Sequence, residues 1–190
     1  ELNERTRDLC IRRLKSEVLP ELPPKTRTFL PVELDKKTRS PYDYAQDEWD
    51  SKIDSYYLNG EPLPKGIMLN IISDLRHICG QIKVDYATKW ITEYRNLTDK
   101  PIVVFTHHRD VLSRLANKFK DARTISGDTA SKARQEIVDD FQAGRIGVLI
   151  CNTVAAKEGI TLTAADTVVF LEREWTPADE EQAEDRIYRI

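Results

Sequence analysis

From residue 101 onward the chain alternates short apolar runs with amphipathic stretches of helical period, a texture that few folds accept. PIVVFT (101–106), ARTISG (122–127), GVLICN (147–152) and DTVVFLE (166–172) read as strands. HRDVLSRLANKFKD carries Val111, Leu112, Leu115 and Phe119 on one helical face. SKARQEIVDDFQAG turns Ala133, Ile137, Val138 and Phe141 inward and stops at Gly144. Apolar strands joined by amphipathic helices bury both faces of a parallel sheet, so the fold class is α/β with helices on both faces. Such sheets hold ligands outside the carboxyl ends of their strands, which directs attention to the loops there.

The first hundred residues have a different grain. Residues 1–19 place Leu2, Leu9, Ile11, Leu14 and Val18 among charges and read as a helical appendage, broken by PELPPK (20–25). TRTFLPVEL (26–34) reads as a strand, near an edge because Pro31 interrupts it. A charged, tyrosine-rich stretch from about 35 to 59 reads as helix, NGEPLPKG (59–66) as loop, and 67–97 as one or two amphipathic helices. No repeat or low-complexity segment interrupts this order.

Composition narrows the function classes. With 40% apolar residues, 190 residues supply a core for one domain, or one domain with an appendage. Charged residues reach 32% at a net charge of −3, which argues against a wholesale basic surface but leaves room for a local phosphate-binding strip. Cys10, Cys79 and Cys151 are far apart and form no CxxC pair, which fits a reducing compartment rather than a disulfide scaffold or zinc knuckle. No secretory signal or long apolar run is present, so no membrane partner is expected. Adjacent histidines His107 and His108 point apart, and no other ligands stand at metal spacing, so no metal site is assigned. Cys151 reads as a buried thiol, and Trp49 and Trp90 as packing residues rather than base-stacking platforms.

Two segments carry chemistry. The stretch after the third strand, CNTVAAKEGITLT, sets small residues beside Asn152, Thr153 and Thr161; it is either an ordinary crossover loop or backbone and hydroxyl groups set against a phosphate chain. The chain closes on EQAEDRIYRI. Thr176 caps the predicted helix, Pro177 suits its first position, and Asp179, Glu180 and Glu181 load its first turn with negative charge. The helix is expected to run to the end of the sequence, so that Gln182, Asp185, Arg186 and Arg189 share one face at i, i+3, i+4 and i+7. Spacing alone leaves two readings, a solvated face of ion pairs or an anion clamp.

These residues resemble a family. NTVAAKEGITLTAADTVVFLEREWTPADEEQAEDRIYRI is similar to the fifth and sixth motifs of the SWI/SNF-type superfamily 2 ATPases, with Trp175 and Pro177 matching a Trp-x-Pro element and Gln182, Ala183, Asp185, Arg186, Arg189 and Ile190 the last motif. KPIVVFTHHRDVL resembles the fourth motif in its annealing-helicase and bacterial or phage form, and ISGDTASKARQEIVDDFQAG the Gly-x-Thr…Arg…Phe segment. IRRLKSEVLPELPPKTRTFLPVEL resembles the passage joining the two motor lobes. The likeness covers roughly residues 10–34 and 67–190; residues 35–66 match weakly and read as a helical insertion. The chain departs from the family at AAKEG, where relatives carry a small pair before the last glycine, and at Thr161, where Asn is common.

The resemblance implies a RecA-like second lobe, with 1–25 as interlobe connection, 26–100 as the start of the lobe with its insertion, and 101–190 as its core. Arg186 and Arg189 would reach the γ-phosphate of ATP held with magnesium mainly by the N-terminal RecA-like lobe, with Gln182 orienting that face or coupling it to DNA. Glu158, Gly159 and Asp185 would lie at the nucleotide and interlobe cleft. Thr153, Gly127, Thr129, Arg134 and Thr161 would meet the backbone of double-stranded DNA without reading its sequence. No GxxxxGK[ST] and no Asp-Glu box occurs, so this chain alone is not expected to hydrolyse ATP. It starts at Glu1 without methionine and stops within the last motif, so a fragment of a longer protein, truncated at its end, is expected. The alternatives are a binding module that has lost the motor function and an RNA helicase lobe, against which the form of the last motif weighs. The expected setting is nuclear in a eukaryote and cytoplasmic or nucleoid-associated in a bacterium or phage.

Overall fold

The computed structural model describes residues 15–19, 21–153 and 159–189. Strands Ile102–Thr106 (β1), Ala122–Ile125 (β2), Val148–Asn152 (β3) and Thr167–Phe170 (β4) form one sheet in the order β2-β3-β1-β4. Every pairing is parallel, with Val104 opposite Ile150 and Val169, and Thr124 opposite Ile150. The two central strands are buried along their whole length. Their near-continuous Val/Ile/Leu content follows from that position, since both faces are covered.

The two faces of the sheet feed two apolar clusters, divided by the period of two along each strand. Val103, Phe105, Leu149 and Cys151 point to one side, where Val138 and Phe141 of Ser131–Gln142 (α5) and Ala183 of Pro177–Glu184 (α6) meet them. Ile102, Val104, Val148 and Ile150 point to the other. There they pack on Val111, Leu112 and Leu115 of Arg109–Ala116 (α4) and on Val84, Ala87 and Ile91 of Ile67–Leu97 (α3). Trp90 joins this cluster and stacks on Tyr94 at 5.5 Å. Residues 67–97 are thus a single helix, and Lys36–Leu58 (α2) packs beside it. Of the predicted helix over residues 1–19, only 15–19 lie within the described residues, and there Lys15–Val18 (α1) is helical.

Three expectations need correction. Residues 26–34 form no strand and join no sheet. With Thr26, Arg27, Thr28 and Pro31, the segment lacks the apolar run of the true strands. It is held by side chains instead, as when Tyr86 Oη donates to Glu33 O (3.2 Å). On α5 the buried stripe is Arg134, Val138 and Phe141, while Ala133 faces solvent. The helix is rotated so that the aliphatic stem of Arg134 packs inward and its Nη2 reaches Thr129 O (3.1 Å).

The last helix ends at Glu184, six residues before the end of the chain as read from its pattern. Its start is as expected: Thr176 Oγ1 accepts from Asp179 N (3.2 Å), and Pro177 opens the helix. Beyond Glu184 the regular ladder breaks up: Arg186 N reaches Ala183 O and Ile187 N reaches Glu184 O, three residues back, while Tyr188 N shares Glu184 O and Arg189 N turns to Ile187 O. The turn tightens because Arg186 O accepts from Leu162 N (2.8 Å), a partner outside the helix. Gln182, Asp185, Arg186 and Arg189 therefore do not share one helical face.

Candidate functional site

The tightened turn after α6 lies against the loop that precedes β4. Besides the Leu162 N to Arg186 O bond, Arg189 Nη1 donates to Thr161 Oγ1 (3.2 Å) and Arg189 Nε to Asp185 O (2.8 Å). The loop itself is pinned to the end of α5, where Gln142 donates to Thr163 Oγ1 (3.0 Å) and accepts from Ala164 N (2.8 Å). Gly159 has φ of +73°, a left-handed conformation that a side chain would resist. The same loop and α5 enclose a surface cavity of about 350 Å³ lined by Ser131, Arg134, Gln135, Val138, Gly159, Ile160 and Thr161.

Burial sets the electrostatics here. Arg186 is only 7% exposed, and Arg134 likewise. Burial, then the neighbouring charge of Arg189, push the Arg186 pKa down, and Asp185 offsets this in part. The two like charges disfavour each other, so the charged form of this pair is favoured by any anion that approaches it. The next turn along, Ser126–Thr129, is closed by Ser126 N donating to Thr129 Oγ1 (2.9 Å) and carries Gly127 at its exposed tip. Arg134 ties this turn to the cavity through Thr129 O.

Gly159, Thr161, Arg134, Thr129, Arg186, Arg189 and Asp185 are thus linked through one set of loops, with Gly127 beside them. Gln182 is exposed on α6. Thr153 is buried at the end of β3, its hydroxyl donating to Thr106 O (3.1 Å), and so is engaged inside the sheet edge. Glu158 lies outside the described residues.

A second polar cluster occupies the carboxyl ends of β1 and β4, and the sequence reading missed its centre. Glu172, 4% exposed, accepts from His107 N and His108 N (both 2.9 Å), and its other oxygen lies 2.5 Å from His108 Nδ1. His107 Nδ1 meets Glu174 (3.1 Å), and His108 stacks on His77 of α3 at 4.2 Å. His77 in turn meets Asp110 at 2.8 Å. All three histidines of the chain converge here. The available signal was a carboxylate directly after an apolar strand, DTVVFLE, opposite a His-His pair directly after another.

The parallel sheet, its helices on both faces and the arginine-bearing turn laid against a strand-end loop define a RecA-like lobe. Residues 82–190 match the family described as the helicase conserved C-terminal domain, and the chain belongs to that family. Within that family it is similar to SWI/SNF-related proteins and DNA annealing helicases. It is 31% identical over 195 residues to a Bos taurus protein named "DNA annealing helicase and endonuclease ZRANB3", covering 100% of this chain and 18% of that protein. It is 33% identical over 194 residues to the Caenorhabditis elegans homologue of SWI/SNF-related matrix-associated actin-dependent regulator of chromatin subfamily A-like protein 1, covering 96% of this chain and 26% of that protein. The chain therefore spans about a fifth to a quarter of these relatives. The Sulfolobus solfataricus SWI2/SNF2 ATPase core domain superimposes with a TM-score of 0.70 at 23% identity, covering 100% of this chain and 42% of that one.

Proposed function

We propose that this chain is the C-terminal motor lobe of an ATP-dependent translocase of double-stranded DNA. The observation that carries the reading is the junction of Arg186 and Arg189 with the Gly159–Leu162 loop, bonded through Arg186 O and Thr161 Oγ1. That junction puts the exposed Arg189 guanidinium and a glycine-bearing backbone on one surface, with the buried Arg186 directly beneath, the chemistry a phosphate chain requires.

In this reading ATP and magnesium are held mainly by the N-terminal lobe of the longer protein, which brings the terminal phosphate to Arg189 and Arg186. Charge that develops on the transferring phosphoryl group meets guanidinium groups already in position, so little reorganisation is spent at the moment of reaction. Gly159 allows close backbone approach, Asp185 holds Arg189 through its carbonyl, and Gln182 faces the cleft from the helix. The turn carrying Gly127 and Thr129, with Arg134 behind it and Thr161 alongside, meets the DNA backbone, while Thr153, buried and bonded to Thr106 O, supports the sheet edge beneath it. Contacts of that kind grip phosphates and leave sequence unread. Relatives named as DNA annealing helicases support the choice of DNA.

The test uses the longer protein, with the preceding lobe present. Duplex DNA should stimulate ATP hydrolysis, and Arg189→Ala should lower kcat by roughly 10³-fold or more, the scale of a transition-state arginine. Duplex affinity should stay within a few-fold. Hydrolysis by Arg189→Ala at the wild-type rate would falsify the assignment.

A further inference from the structure

Pro23–Arg27, which leads into the lobe, lies across α6 and the arginine-bearing turn, some 160 residues away in sequence. Arg27 forks onto Glu184, Nε to Oε1 and Nη2 to Oε2, both at 2.8 Å. Lys25 reaches the same carboxylate at 3.2 Å and Asp185 Oδ1 at 2.9 Å. Its ammonium also stands 4.7 Å from the centre of the Tyr188 ring, and Tyr188 Oη donates to Pro23 O (2.8 Å). The contacts thus bracket Arg186 on both sides. They also hold Asp185, whose carbonyl takes the Arg189 guanidinium.

Isolated surface ion pairs contribute little, but this is not one. Glu184 is 11% exposed at its side chain and accepts a bidentate arginine and a lysine together, an arrangement with strong directional preference. Burial acts to raise the Glu184 pKa, yet the bonds from Arg27 and Lys25 outweigh it and hold the carboxyl below its usual range.

We propose that Pro23–Arg27 is a positioning strap, which fixes the arginine-bearing turn and links its placement to the segment that enters the lobe. Lys25, Arg27, Glu184 and Tyr188 are its positioning residues. They touch no phosphate and act by setting where Arg186 and Arg189 stand. The inference rests on the phosphate-facing reading of those arginines.

The test again uses the longer protein with both lobes. Arg27→Glu and Glu184→Arg each break the fork, while the double variant rebuilds it with the charges exchanged. Each single variant should lower DNA-stimulated kcat by about tenfold, with KM for ATP within about twofold, because only the transition-state contact is misplaced. The double variant should recover most of the loss. Tyr188→Phe, which deletes one hydrogen bond, should give a smaller fall in kcat and no change in KM. It carries the comparison if a charge reversal fails to fold. Wild-type kcat in both single variants, or a double variant that melts like wild type yet recovers nothing, would overturn the strap. Arg189→Ala run alongside separates the two ideas. If Arg189→Ala is inactive while the single swaps are active, the strap alone fails; if Arg189→Ala is active, the phosphate-facing reading fails with it.

Discussion

Gly80 and Cys151 show how little room single residues have in this lobe. A Cβ on Gly80 would stand 2.5 Å from Glu172 Oε1 and 2.8 Å from its carboxyl carbon. Glu172 cannot swing away cheaply, because it is buried and holds two backbone N–H groups after β1. Gly80→Ala should therefore destabilise the fold by roughly 1–3 kcal/mol, the usual cost of overpacking. Urea denaturation checks this, and a loss under about 0.5 kcal/mol would show that the carboxylate yields. Cys151 is fully buried, and burial pushes its thiol up to about 12, with Arg134 lowering it slightly. Iodoacetamide at pH 8 should leave Cys151 unmodified in the native protein and label it after denaturation, as read by peptide mass. Native labelling at the rate of a free thiol would mean the β3 edge opens readily. That thiol was legible in the sequence as part of an apolar strand. The burial of Arg134 was not, because Ala133 with Ile137 and Arg134 with Val138 both fit the helical period, and the apolar pattern favours the alanine.

At the scale of elements, α3 meets α4 through charge as well as apolar packing. Asp110 opens α4 and faces His77 and Gln81 of α3, both at 2.8 Å. Burial acts to raise its pKa, but the bonds from Gln81 and His77 outweigh it and bring the carboxyl from 3.8 down to about 2. A carboxyl held lower in the folded than in the unfolded state stabilises the fold above the unfolded value and loses that contribution as pH falls through the folded one. The stability gap between wild type and Asp110→Asn should thus be full at pH 5 and shrink from about pH 4 toward pH 2. Denaturation series across that range measure it; a gap independent of pH would remove the ionised carboxylate from the account. The strands and long helices were legible in sequence because each repeats a local period. The end of α6 was not, since the bond that tightens it comes from Leu162.

Across the whole molecule, the alternation of strand and helix sets a parallel sheet, and the sheet gathers the strand-end loops onto one edge. The chain by itself determined that alternation, the two-faced core, the Thr176 start of the last helix and the residue types of the arginine motif. These are local patterns, and a period of two or 3.6 survives whatever the rest of the chain does. Only the tertiary structure decided that Lys25 and Arg27 would meet Glu184, that His77, His107 and His108 would meet around Glu172, and that Arg186 would be buried while Arg189 stays at the surface. Those outcomes depend on which distant segments the sheet order β2-β3-β1-β4 brings side by side. Nothing in the local spacing of a charge says which opposite charge, 160 residues on, will stand across from it.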